Sequence, residues 1–166
     1  KYYNSIKDLG KENDLPPKLI IGIPNDENNS NYNATKFFNI LGIDVNKDDF
    51  NINIEAIKKA ITPKTKAIVP VHLFGQCANM EAIMQLAEEH NLYVIEDNAQ
   101  TMLGEYKGRY VGVDADFAMF SLERTKHISS HEGGILITNN ADYATKARKF
   151  AGGGFKNLTA DKSKLA

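Results

Sequence analysis

Two short stretches carry the residues whose types and spacing could do chemistry. In Tyr93-Val94-Ile95-Glu96-Asp97-Asn98-Ala99-Gln100 an apolar run ends in two carboxylates, and an amide follows Asp97 by three residues. A carboxylate at the end of a buried strand costs several kcal/mol unless it is paired. Asp97 therefore has two readings: it binds a cationic nitrogen of a ligand, or it caps the turn or helix that follows. The second stretch is Phe120-Ser121-Leu122-Glu123-Arg124-Thr125-Lys126-His127. A lysine amine forms imines with carbonyl compounds once its pKa is depressed. A lysine after a strand is otherwise a solvated surface residue. Glu132-Gly133-Gly134 follows, where glycine permits a tight turn. His72 closes a third apolar run, and a structural hydrogen bond is its favoured role. Glu96 is likewise read as structural.

These side chains need a scaffold, and the chain alternates in a way that supplies one. Leu19 to Ile23 reads as a short buried strand, and Ile40 to Val45, interrupted by Gly42, as another. Asn53 is placed to cap a helix through Ile61, with Ile54, Ile57 and Ile61 at helical spacing and Thr62-Pro63 ending it. Ala67 to Leu73 is a continuous apolar run typical of a strand covered on both faces. Asn79 caps a second helix, whose stripe is Met80, Ile83, Met84, Leu86 and Ala87 and which ends at His90-Asn91. Strands follow at Tyr93 to Glu96, Asp116 to Ser121 and Gly134 to Thr138. Lys107-Gly108-Arg109 forms a hairpin tip. A last helix spans Ala141 to Phe150, and Gly152-Gly153-Gly154 reads as its C-cap and loop. This order predicts an α/β fold, a mostly parallel sheet with helices on both faces. Ligands of such sheets bind beyond the carboxyl ends of the strands, which is where His72, Asp97 to Gln100 and Ser121 to Lys126 fall.

The bulk properties exclude several classes. The chain has 166 residues, 20 Lys+Arg against 21 Asp+Glu, a net charge of −1, 42% hydrophobic and 25% charged residues. That is the composition of an ordinary soluble domain. No stretch approaches the ~20 apolar residues that span a bilayer, and Lys1-Tyr2-Tyr3-Asn4 opens no signal-peptide core. A near-neutral chain without basic clusters argues against a nucleic-acid partner. The single cysteine, Cys77, permits no intrachain disulfide and fits a cytoplasmic setting. Residues 1–35, rich in Asn, Lys, Asp and Ser, form an irregular lead segment. The Asn-x-Ser/Thr triplets at Asn28, Asn33 and Asn157 are read as incidental.

The two stretches, with their spacing and flanks, resemble the central motifs of the DegT/DnrJ/EryC1/StrS family. These are sugar aminotransferases that depend on pyridoxal phosphate (PLP) and have the type I, aspartate-aminotransferase-like fold. The flanking matches are Ile61 to Gln76, Gly42-Ile43-Asp44-Val45 and Phe50-Asn51-Ile52. The resemblance covers residues 36 to 160 and implies that 36–166 is the central part of a PLP-transferase large domain. It implies that Lys126 holds PLP as an imine and shuttles a proton. It implies that Asp97 pairs with the protonated pyridine nitrogen, which deepens the electron sink. Gln100 would contact the phenolic oxygen, and Ser121 would donate to the phosphate. Lysine at 126 favours transamination, because histidine stands there in the family's dehydratases. The implied substrates are a nucleotide-linked keto-sugar and an amino-acid donor, glutamate, in amino-sugar and polysaccharide biosynthesis. The implied assembly is a homodimer, and no metal is implied.

This sequence departs from the pattern at His131, where a glycine is common, and at Asn98, where a small residue is usual. The family's Gly-Thr or Ser-Gly-Thr phosphate loop and its small domain have no counterpart here, so activity is expected to need further chain. One alternative is a truncated or degenerate relative that binds PLP weakly or serves as an interaction subunit. A nucleotide-binding α/β domain of another kind is disfavoured, since neither G-x-G-x-x-G nor G-x-x-x-x-G-K-[ST] is present.

Overall fold

The computed structural model describes residues 18–21, 39–42 and 44–151. The elements in chain order are β1 (Lys18–Ile21), β2 (Asn39–Gly42), α1 (Ile54–Ala60), β3 (Thr65–Val69), a 3₁₀ turn (Leu73–Gly75), α2 (Met80–Glu89) and β4 (Tyr93–Asp97). A small hairpin of β5 (Glu105–Tyr106) and β6 (Arg109–Tyr110) follows, then β7 (Phe117–Ser121), β8 (Gly134–Ile137) and α3 (Ala141–Ala151). Six strands form one sheet in the order β2-β1-β3-β4-β7-β8. All neighbours are parallel except β7 and β8, which run antiparallel.

Local chemistry explains most of these boundaries. The Asn53 side chain accepts from the Ala56 N–H at 2.9 Å and starts α1, and Asn79 accepts from the Ala82 N–H at 3.2 Å and starts α2. Each satisfies a backbone donor that the first helical turn leaves unpaired. At the hairpin tip Lys107 and Gly108 both have left-handed backbones, φ 51° and 77°, as a two-residue turn between right-twisted strands requires.

Some strand expectations are shortened. The run Ala67 to Leu73 leaves the sheet at Val69, because Pro70 has no N–H to give to a ladder. Beyond it, Val71 makes only an isolated bridge to Asp97, and Leu73 begins the 3₁₀ turn. Of the run Ile40 to Val45, Ile40 to Gly42 lie in a strand, Ile43 lies outside the described residues, and Val45 makes an isolated bridge to Ile52. The first strand covers Lys18–Ile21, and Gly22 and Ile23 of the expected run lie outside the described residues. Residues 152–154, the three Asn-x-Ser/Thr triplets and most of the 1–35 segment lie outside the described residues.

The register places side chains on opposite faces. Ile68 pairs with Val94, and Glu96 with Ala118, so these four share one face, and all are at most 1% exposed. Ile57 of α1 and Met80, Ile83, Leu86 and Ala87 of α2 close over it in a single apolar cluster. Each fully buried large aliphatic side chain there contributes about 1.5–3 kcal/mol. On the other face Tyr143 of α3 stacks on Phe117 at 5.2 Å between ring centroids and meets Tyr93 edge-on at 6.1 Å. Helices thus lie on both faces, as the alternation predicts. Among the described residues no helix is long and apolar enough to cross a membrane.

Candidate functional site

The carboxyl ends of β4 and β7 lie side by side. Asp97 is in register with Met119, so Ser121, two residues further along, projects from the same face of the adjacent strand. This is the face opposite the α1–α2 core. Asp97 is half-buried and its backbone is fixed on both sides: its N–H donates to Pro70 O at 2.9 Å, and the His72 N–H donates to Asp97 O at 3.0 Å. Its Oδ1 accepts from the Ala99 N–H at 2.9 Å. The turn-capping reading is therefore correct for one oxygen, and Oδ2 has no partner among the described residues.

The turn carries Gln100 to a cleft of about 570 Å3, which it shares with Phe74, Gly75, Ala99, Thr125, Lys126 and His127. Gln100 Oε1 accepts from the Phe74 N–H at 3.3 Å, which leaves its amide NH₂ to donate. The Lys126 N–H donates to Glu123 O at 3.0 Å, closing the turn after β7, while its ammonium makes no hydrogen bond or ion pair with a described residue. Ser121 Oγ accepts from the Glu123 N–H at 3.3 Å, leaving its hydroxyl proton free. The Thr125 hydroxyl and N–H, together with the Lys126 charge, hold the half-buried Glu123 carboxyl below the usual range. Gln100 and Lys126 thus meet on one cleft, whereas Asp97 and Ser121 sit at the strand ends beside it without lining it. A larger cleft of about 920 Å3, between the Asp44–Asp49 loop and α1, contains none of these residues.

Beneath the site, His72 and Glu96 form a buried pair, Nε2 to Oε2 at 3.0 Å. Both make the structural hydrogen bonds the sequence reading favours. Sequence reasoning missed Phe74, which borders the cleft with a left-handed backbone (φ 54°) and lies 72% exposed. Its only signal was the following Gly75, also left-handed. Both departures have structural consequences. His131 takes φ 76°, the conformation a glycine would adopt without strain. Asn98 is 1% exposed, and neither of its side-chain polar atoms has a partner among the described residues.

The donor set suits PLP. An amine with no ion pair, a half-buried carboxylate oxygen without a partner, an amide NH₂ and a hydroxyl donor match the cofactor's aldehyde, pyridinium N–H, phenolic oxygen and phosphate.

Comparison with known proteins identifies the family. The DegT/DnrJ/EryC1/StrS aminotransferase family matches residues 38–165. GDP-perosamine synthase of Caulobacter vibrioides is 42% identical over 112 residues, which is 68% of this chain and 30% of that protein. The crystal structure of DesI in the presence of its TDP-sugar product has a TM-score of 0.73 at 30% identity, over 86% of this chain and 36% of that one. The structure of ntda from Bacillus subtilis with bound cofactor PMP has a TM-score of 0.72 at 29% identity, over 89% and 35%. The chain spans about 30% of the length of the curated relatives it matches. With the fold and these matches in agreement, the chain belongs to the DegT/DnrJ/EryC1/StrS aminotransferase family, whose cofactor is PLP.

Proposed function

We propose that this chain forms the cofactor-holding centre of a PLP-dependent aminotransferase that aminates a nucleotide-linked keto-sugar, with an amino acid, glutamate, as donor. Residues 36–166 supply this part of the large domain in a cytoplasmic homodimer serving amino-sugar and polysaccharide biosynthesis. The observation that carries the reading is the convergence of Lys126 and Gln100 on one cleft beside Asp97 at the end of β4.

When bound, PLP supplies an electron sink for the carbanion formed as an amino group is exchanged. The chain's residues do the rest. The Lys126 amine would hold the cofactor and carry the proton, Asp97 Oδ2 would accept from its pyridinium N–H, the Gln100 amide would donate to its phenolic oxygen, and Ser121 Oγ would donate to its phosphate. The sugar class rests on relatives named for nucleotide sugars, GDP-perosamine synthase and DesI with its TDP-sugar product. Lysine rather than histidine at 126 favours amino transfer over dehydration.

The test is the visible absorbance that appears on adding PLP, compared between wild type and Lys126→Ala. A band that depends on Lys126 is expected. A wild-type spectrum identical to that of Lys126→Ala would defeat the assignment.

A further inference from the structure

We propose that His72 and Glu96 are positioning residues for the cofactor contacts of Asp97 and Gln100; this role rests on the aminotransferase reading above. The His72 ring is buried, and each of its nitrogens has one partner. The Ala78 N–H donates to Nδ1 at 2.9 Å, so Nδ1 is an acceptor and the ring proton sits on Nε2. From there it is donated to Glu96 Oε2 at 3.0 Å. The same oxygen accepts from the Gly112 N–H at 2.7 Å. One imidazole and one carboxylate thereby tie the approach to α2, the end of β4 and the turn after the hairpin.

The backbone of His72 holds the site's turn. Its N–H donates to Asp97 O at 3.0 Å, and its carbonyl accepts from Thr101 Oγ at 2.7 Å. Two residues on, the Phe74 N–H holds Gln100 Oε1. Residues 97–101 are therefore suspended from 72–74, and 72 is anchored through its ring. Glu96 and Asp97 are adjacent in β4 and point to opposite faces. Anchoring Glu96 in the core fixes where Asp97 emerges on the other side. Groups that orient the residues touching a bound cofactor or metal typically change its affinity 10–100-fold when removed.

The test separates positioning from stability. Replacing both members of a buried polar pair with apolar residues of similar volume is often neutral for folding. The double variant His72→Leu/Glu96→Leu should therefore fold, while the Ala78 and Gly112 amides lose their acceptors. Two readouts are taken well below the melting temperature: PLP affinity by absorbance titration, and hydrogen exchange of the His72 and Asp97 amides in the cofactor-free chain. The double variant is expected to bind PLP about tenfold or more weakly and to exchange both amides faster. His72→Gln, whose terminal amide can still donate to Glu96, is expected to recover most of both. Wild-type affinity together with wild-type exchange in the double variant would overturn the proposal. If the double variant does not fold, the comparison of His72→Gln with Glu96→Gln decides it, since only the first keeps the carboxylate that Gly112 and residue 72 share. A wild type that binds no PLP would defeat the aminotransferase reading, and the exchange measurement would still decide the positioning role.

Discussion

Asn98→Ala should make the protein more stable. Asn98 is 1% exposed, and both its Nδ2 and its Oδ1 lack a hydrogen-bond partner among the described residues. A buried polar group without a partner costs about 1–3 kcal/mol relative to its hydrated state. Alanine removes that cost and leaves a cavity the size of the lost amide, worth about 1 kcal/mol. The backbone contact is unaffected, because the Asn98 N–H donates to Met119 O at 2.8 Å whatever the side chain. The net expectation is a gain of about 1 kcal/mol, or a rise in Tm of about 2–4 °C for a domain of this size. The assay is urea and thermal unfolding of both proteins, with an unchanged m-value as the sign that the two folded states are equally compact. Asn98→Asp is the control, since it buries an unpaired carboxylate and should destabilise by several kcal/mol. A loss of about 1 kcal/mol or more in Asn98→Ala would refute the reasoning, because the amide would then be hydrogen-bonded in solution.

Gly112→Ala should destabilise by about 2–4 kcal/mol, combining left-handed strain with overpacking; a new Cβ would meet Ala118 Cβ at 3.0 Å and Ile137 Cδ1 at 3.1 Å on a backbone of φ 93°. Thermal unfolding reads this, and an unchanged Tm would count against the packing described. His131→Gly should be neutral to stabilising by up to about 1 kcal/mol, the relief of left-handed strain exceeding the entropy glycine loses on folding; a Tm drop would show that the imidazole makes a contact that matters. Burial is the larger cause, and the Glu96 charge the smaller, that push the Cys77 thiol above its ordinary pKa. Its alkylation should therefore be slower than that of free cysteine at pH 8 and should rise at higher pH, because only the thiolate reacts. A rate at pH 8 equal to or faster than that of free cysteine would contradict this.

Much of the fold was legible because its signals are local. The caps at Asn53 and Asn79 act within three residues, and both helices begin where those side chains predict. Where a local signal was outvoted, the reason is identifiable: the apolar run through Leu73 looked like one strand, but Pro70 withdraws a donor and the chain turns. Of the candidate site, Asp97 and Lys126 stood out by type and place after a strand, whereas the roles of Gln100 and Ser121 came only from the family resemblance. Phe74 did not stand out, because its exposure and left-handed backbone follow from how the 73–76 turn meets Gln100, 26 residues later.

The sequence alone determined which segments become helix or strand, their alternation, and the family motifs, since all of these depend on neighbours a few residues apart. The tertiary structure decided what no such window contains. It set the register of β4 on β7, which brings Asp97 and Ser121 to one face. It joined His72 to Glu96 across 24 residues. It also buried Asn98 without a partner. These outcomes come from packing the whole sheet against its helices. Burying one apolar face selects the register, and the register then dictates which polar groups meet and which are stranded.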